Sequence, residues 1–129
     1  MSNRVVITGL GVVSSLGMEI DKFWDNIVNG QSGISKIESF DTEEFPSKIG
    51  AEIKEFDPNE YIDRKDAKRM AVFTQYAVVA AIKALQDAGL EVTEDIANEV
   101  GVLIGSGIGG IEVFEKQIGR LVNRGPKRI

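Results

Sequence analysis

The sequence predicts an α/β fold of which this chain holds only a part. Two β-branched apolar runs, residues 4–9 (RVVITG) and 100–104 (VGVLI), predict buried strands. They alternate with helical patterns, and strands that are apolar on both faces are typical of a parallel or mixed sheet covered by helices. Two strands are too few for such a sheet, which usually has about 4–6. We therefore expect further strands from outside these 129 residues.

The first half of the chain predicts one helix and a long irregular segment. Asp21 is the expected N-cap of a helix that carries apolar residues at helical spacing up to Val28, and Gly30 is its expected end. Residues 31–60 are mixed and polar and contain two prolines. We expect short extended pieces there.

The second half predicts the longest helix, the second strand and a final helix. Asp63 or Asp66 opens the long helix, which ends at Gly89. Its central AVVAA segment is apolar on nearly every side, so we expect burial on more than one face. A glycine-rich loop (GSGIGG, 105–110) follows the second strand and precedes a helix over about 111–122.

The composition excludes several kinds of chemistry. The chain has no Cys and no His, so it supplies no thiol nucleophile, no imidazole base and no Cys or His metal ligand. We expect no metal and no cofactor. The apolar runs are much shorter than the roughly 20 residues of a membrane-spanning helix, and the N-terminus lacks a signal-peptide pattern. The expected location is the cytoplasm, away from the membrane.

Positive charge is concentrated in two stretches of an acidic chain. The net charge is −5, from 15 basic and 20 acidic residues. Residues 64–69 and 120–129 together hold 8 of the 15 basic residues and only 1 of the 20 acidic ones. The acidic balance of the whole chain disfavours nucleic-acid binding. Basic stretches on an acidic protein favour an acidic partner, because repulsion elsewhere directs that partner to them.

The glycine-rich loop matches the pattern G-x-G-x-x-G of dinucleotide-binding proteins. That fingerprint also requires a second strand with an acidic residue about 20 positions further on, and the chain has neither. We therefore interpret the glycines mainly as positions where the loop and its neighbours approach closely, and nucleotide binding stays a weaker alternative.

Two carboxylates, Glu112 and Glu115, lie three residues apart at the start of the last predicted helix. Paired carboxylates can act as acid and base, but Lys116 lies beside them. We expect a solvated helix face there rather than a catalytic pair.

Five collinear segments carry a resemblance to one protein family. They are RVVITGLGVVSSLG at 4–17, GQSGI at 30–34, DRKDAKRM and FTQYAVVAA within 63–81, ALQDAGL at 84–90 and IGSGIGG at 104–110. Together they resemble the N-terminal part of bacterial β-ketoacyl-acyl-carrier-protein synthases of type II. These are the elongating condensing enzymes of fatty acid synthesis.

The resemblance implies a thiolase-like layered fold, with two related halves that each hold a five-stranded mixed sheet and helices. Residues 1–129 are then the N-terminal part of the first half, and the remainder of the enzyme, a homodimer at full length, is absent from this chain. The family joins an acyl thioester to malonyl-acyl carrier protein in a decarboxylating Claisen condensation that uses one cysteine and two histidines. Because this chain has none of these, we expect no catalytic residue in it and no activity from it alone.

The resemblance also implies positions that bind the acyl carrier protein, a small acidic helical protein. Lys65, Lys68 and Arg69 match the docking side chains at a helix start, and Lys127 and Arg128 match a second group. Several such contacts must act together, because an exposed ion pair contributes only about 0.2–1 kcal/mol.

Two further positions follow from the resemblance. Ile108, between the glycines of the loop, matches a position that lines the acyl-chain pocket near the subunit interface. Ala71 and Val72 depart from the family pattern, which usually has charged residues before the phenylalanine. We expect a local salt bridge of the family to be missing there.

A hypothesis of a different class is a module that binds without catalysing a reaction. Its ligand would be an acidic carrier protein, held by the two basic stretches, or a nucleotide, held by the glycine-rich loop. Salt-sensitive binding of the carrier protein to isolated residues 1–129 would favour this hypothesis over the enzyme part.

Overall fold

The computed structural model describes residues 4–128. The described chain contains four α-helices, one small antiparallel sheet and three short 3₁₀ turns. The helices are α1 (Ile20–Val28), α2 (Arg64–Ala67), α3 (Val72–Ala88) and α4 (Ile111–Arg124), the strands are β1 (Ser35–Lys36) and β2 (Ile49–Gly50), and the 3₁₀ turns are Pro58–Glu60, Ala97–Glu99 and Pro126–Arg128.

Helix α3 is the element on which the N-terminal segment and the 3₁₀ turn Pro58–Glu60 pack. Val79 in its centre is 0% exposed, as the AVVAA segment predicts. The N-terminal segment crosses the helix so closely that a Cβ on Gly11 would lie 2.7 Å from the backbone nitrogen of Ala84. The Leu10 N–H also donates a hydrogen bond to Asp87 Oδ2 at 2.8 Å. Glycine is needed at this crossing because any side chain would displace the two backbones.

The segment between α1 and α2 is irregular, as the sequence predicts. Its regular part is the two-residue pairing of β1 with β2, in which Ser35 lies opposite Gly50 and Lys36 lies opposite Ile49. The Glu52 carboxylate tightens this hairpin by accepting hydrogen bonds from the backbone N–H groups of residues 38 and 39, at 2.9 and 3.0 Å.

The two predicted strands find no partners within residues 4–128. Segments 4–9 and 100–104 belong to neither of the two assigned strands, and Leu103 is 98% exposed. The chain exposes 10738 Å² in total, whereas a compact monomer of this size exposes about 6,700 Å². Apolar strand sequences without ladder neighbours and with this much open surface fit part of a larger sheet, as the sequence predicts.

The boundaries of three predicted helices need correction. Helix α1 begins at Ile20, one residue before the predicted cap Asp21, and Glu19 occupies the N-cap position without a side-chain hydrogen bond. The long helix is interrupted after Ala67 and resumes at Val72. The last helix continues to Arg124.

The predicted helix ends at glycines are confirmed. Gly89 follows α3 with φ +60° and Gly30 follows α1 with φ +66°, in the left-handed region that glycine adopts without steric cost.

Candidate functional site

Residues 64–69, which we call the basic turn, form one exposed cationic surface. Asp63 caps α2, because its Oδ1 accepts a hydrogen bond from the Lys65 N–H at 2.8 Å. The four basic side chains of this stretch are all exposed; they are Arg64, Lys65, Lys68 and Arg69. Together with Asp63 they line one shallow depression. The structure thus brings together the three residues of this stretch that the sequence predicts as docking residues.

Within the described chain, no carboxylate forms an ion pair with a basic side chain of the basic turn. The ion pairs found among residues 4–128 join Lys22 to Glu55, Lys54 to Glu38 and Lys83 to Glu19. None of them involves a side chain of the basic turn. Exposed cations without carboxylate partners are available to an acidic ligand.

A side chain that sequence analysis missed fixes one end of the basic turn. Gln75, in α3, donates hydrogen bonds from its Nε2 to the carbonyl oxygens of Ala67 at 2.8 Å and Met70 at 3.3 Å. These carbonyls lie where α2 ends, and Ala67 itself is buried. Gln75 thereby replaces helical hydrogen bonds that the break between α2 and α3 removes.

The other end of the basic turn is held from a distant part of the sequence. Glu112 Oε1 accepts a hydrogen bond from the Val72 N–H, the first of α3, at 3.3 Å. The N-cap residue Ala71 makes no side-chain cap. The predicted solvated face is therefore partly covered at Glu112, which is half-buried, whereas Glu115 is exposed as predicted.

The glycine-rich loop approaches the start of α3, as its composition predicts. A Cβ on Gly110 would lie 2.7 Å from the Ala71 Cβ, so only glycine fits this contact without a shift. Gly109 has φ +76°, and its N–H donates to Ser106 Oγ at 2.9 Å. Ile108 is 79% exposed and does not line the three main depressions of the described chain. An acyl pocket lined by Ile108 would therefore need further lining residues from outside residues 4–128.

The second basic stretch lies at the far end of α4. Lys127 is exposed in the 3₁₀ turn that follows this helix, and it does not line the depression of the basic turn. Helix α4 has 14 residues and is therefore about 21 Å long, and it meets α3 through its first turn. The side chain of Arg128 lies outside the described part of the structure.

One nearly buried lysine was not predicted from the sequence. Lys83 in α3 is 11% exposed, and its Nζ lies 2.5 Å from Glu19 Oε1 and 5.2 Å from the ring centre of Tyr61. The hydrogen bond to Glu19 raises the pKa of Lys83 above its ordinary value. Lys83 therefore fastens α3 to the start of α1, away from the basic turn.

The described residues show no arrangement for a metal ion or a membrane span. No group of three or more acidic side chains within residues 4–128 is placed to hold a metal. Among the helices of the same range, none is long and apolar enough to cross a membrane.

Comparison with known proteins matches nearly the whole chain. The family described as "Beta-ketoacyl synthase, N-terminal domain" matches residues 2–128. The 3-oxoacyl-[acyl-carrier-protein] synthase 2 of Vibrio harveyi is 45% identical over 126 residues, which are 98% of this chain and 30% of that protein. The protein of the same name from Staphylococcus aureus (strain COL) is 45% identical over 128 residues, 99% of this chain and 31% of that protein.

A solved structure shares the fold. The beta-ketoacyl synthase from Burkholderia phymatum STM815 superposes with a TM-score of 0.77 and 30% identity, over 98% of this chain and 31% of that one. The chain thus spans about 30% of the length of the curated relatives that it matches.

Proposed function

The chain belongs to the β-ketoacyl synthase family, and on this premise we propose that it is the N-terminal part of an elongating 3-oxoacyl-acyl-carrier-protein synthase. The relatives that carry this name are 45% identical to it over nearly its whole length. We also propose that this chain itself binds the acyl carrier protein. The observation that supports this role is the set of exposed cations of the basic turn, which form no ion pair in the described chain.

The complete enzyme would perform a condensation to which this chain contributes no reacting group. An acyl chain is held as a thioester on a cysteine, and the malonyl group on the carrier protein loses CO₂. The resulting carbanion attacks the acyl carbonyl carbon, the acyl–sulfur bond breaks, and the cysteine leaves as a thiolate. The chain has no Cys and no His, so we propose that residues 1–129 alone are inactive and that the remaining two thirds of the enzyme supply the chemistry.

The proposed docking surface begins with Lys65, Lys68 and Arg69. They are exposed, share one depression and have no carboxylate partner in the described chain. An acidic partner at this surface meets several positive charges at once, which raises the association rate and selects the orientation of the partner. Lys127 and Arg128 would form a second, separate group beyond the far end of α4.

Ile108 is the proposed contribution of this chain to the acyl pocket. Its neighbours in the loop are glycines, and a Cβ on Gly107 would meet no atom within 4 Å. An exposed apolar side chain on a loop with this freedom can move when an acyl chain enters. In the complete homodimer it would limit the length of the acyl chain.

The docking role can be tested in a chimera. The chimera carries residues 1–129 of this chain in place of the matching N-terminal 30% of the Vibrio harveyi synthase. The double charge reversal K65E/K68E should raise the KM for malonyl-acyl carrier protein about tenfold, because each reversal removes an attraction and adds a repulsion. The kcat and the KM for a malonyl thioester of pantetheine, which has no protein surface to dock, should stay unchanged.

The matched control is K36E/K116E, which makes the same change of net charge at two exposed lysines outside the basic turn. An equal rise of KM in this control would show an effect of overall charge and contradict the docking site. An unchanged KM in K65E/K68E would contradict it directly. A chimera that folds but does not condense would contradict the proposed enzyme itself.

A further inference from the structure

We propose that Glu112 is a positioning residue for carrier-protein docking, which it serves by fixing the basic turn at the start of α3. This inference rests on the proposed docking function. Glu112 lies 40 residues beyond Val72 in the sequence, and its carboxylate is the described side chain that accepts a hydrogen bond from the first N–H of α3.

The start of α3 needs an acceptor that its own sequence does not provide. The first N–H groups of any helix have no partner within the helix, and a polar side chain at the N-cap position usually accepts from one of them. Ala71 occupies this position in extended backbone, φ −65° and ψ 154°, and its methyl group cannot accept a hydrogen bond. Glu112 provides the missing oxygen, and its negative charge is favourable at the positive end of the helix dipole.

Lys68 and Arg69 lie between two anchors. On one side Gln75 binds the carbonyl oxygen of Ala67, and on the other Glu112 binds the N–H of Val72. The backbone that carries the two cations is therefore fixed at both ends. Because each exposed contact is weak, docking depends on several cations that keep one arrangement before the partner arrives.

The contact also places the glycine-rich loop next to the basic turn. Glu112 is the second residue of α4, and Gly110, directly before the helix, packs against Ala71. Loss of the Glu112 contact would free the first turn of α3 and the adjoining backbone of Lys68 and Arg69. It would not remove a charge from the docking surface, since Glu112 is not among the residues that line it.

The test compares four variants of the chimera. E112A should raise the KM for malonyl-acyl carrier protein about threefold, which is the size expected from the loss of a helix cap. Its kcat and its KM for the pantetheine thioester should not change. E112Q keeps a carbonyl oxygen and should stay within about twofold of the parent. E115A, which removes an exposed carboxylate one turn further along α4, should have no effect.

The fourth variant, E112A/A71S, gives α3 an N-cap side chain of its own and should restore the parent KM. Amide exchange at Val72 should become faster in E112A, and in E112A/A71S the new cap should slow exchange at Phe73 or Thr74, the second and third N–H groups of α3. These results together support the proposal.

Three outcomes would overturn it. They are an unchanged carrier-protein KM in E112A, an equal rise of the KM for both thioesters, and a failure of A71S to restore docking. If K65E/K68E also has no effect, the docking site itself is wrong; if K65E/K68E is impaired and E112A is not, only the role of Glu112 is wrong.

Discussion

Helices α3 and α4 are both rich in apolar residues, yet the described chain covers only one of them. In α3, Val79 is fully buried and Lys83 nearly so. In α4 no residue is buried, and Phe114 is 66% exposed. The difference arises because the N-terminal segment and the 3₁₀ turn before α2 both pack on α3. Helix α4, in contrast, contacts the start of α3 only through its own first turn among the described residues.

The comparison shows which part of the fold the described residues complete. An amphipathic helix gains most of its stability from burial of its apolar face, and α4 obtains little burial within residues 4–128. The relatives are about three times longer than this chain. We therefore expect the apolar face of α4 to be covered by the remaining two thirds of the enzyme. Five substitutions in the chimera, grouped in three experiments, test this contrast.

The largest effect is expected from Phe114→Ala. If the rest of the enzyme covers α4, loss of this side chain should cost about 3–5 kcal/mol of unfolding free energy, more than the about 2 kcal/mol expected for Val79→Ala in α3. Urea unfolding followed by circular dichroism measures both. A negligible cost for Phe114→Ala beside a clear cost for Val79→Ala would show that α4 stays open in the complete enzyme.

A smaller effect is expected from glycine substitutions. Gly11→Val should cost about 3 kcal/mol, because the new side chain would enter the backbone of α3 at Ala84. A Cβ on Gly119 in α4 meets no atom within 4 Å among the described residues, so Gly119→Ala should stabilise by about 1 kcal/mol through helix propensity. The two urea midpoints should move in opposite directions. Destabilisation by Gly119→Ala would instead locate a close neighbour of α4 at that position.

The smallest loss of stability is expected from Lys83→Met, about 1–2 kcal/mol from the charge-assisted hydrogen bond to Glu19. The pKa of Lys83 is raised above its ordinary 10.5, so the protonated lysine stabilises the folded state at all pH values below about 10.5. This contribution is lost as the pH rises through the folded pKa. The difference in urea midpoint between Lys83→Met and its parent should therefore be constant near neutral pH and shrink above about pH 10.5. A difference that stays constant over the whole pH range would show that the ion pair with Glu19 does not cause the loss of stability.

Local patterns predicted the elements and several of their ends. Glycines end α1 and α3 where the sequence places them, Asp63 caps α2, and the glycine-rich loop packs closely at Gly110. Each of these signals depends on residues within about one turn of one another, so the sequence displays them directly. The five collinear segments indicated the β-ketoacyl synthase family, and the comparisons with known proteins confirmed that prediction.

The long-range contacts of the described chain were not predictable in this way. Glu112 reaches Val72 across 40 residues, and Lys83 reaches Glu19 across 64. The break between α2 and α3 depends on Gln75 and Glu112, whose polar groups replace hydrogen bonds that a continuous helix would have made. Nothing in the local pattern of residues 63–89 signals that these side chains fold back onto the turn.

By itself the sequence determined that the chain is part of an α/β fold, that it has no thiol or imidazole chemistry, and that 8 of its 15 basic residues lie in two short stretches. These properties follow from composition and short-range pattern, which no folding can alter. Only the tertiary structure decided that Lys65, Lys68 and Arg69 share one surface, that Lys127 lies apart from it, and that a carboxylate from α4 holds its backbone. The reason is physical, since the path of the chain alone determines which distant residues come within hydrogen-bonding distance.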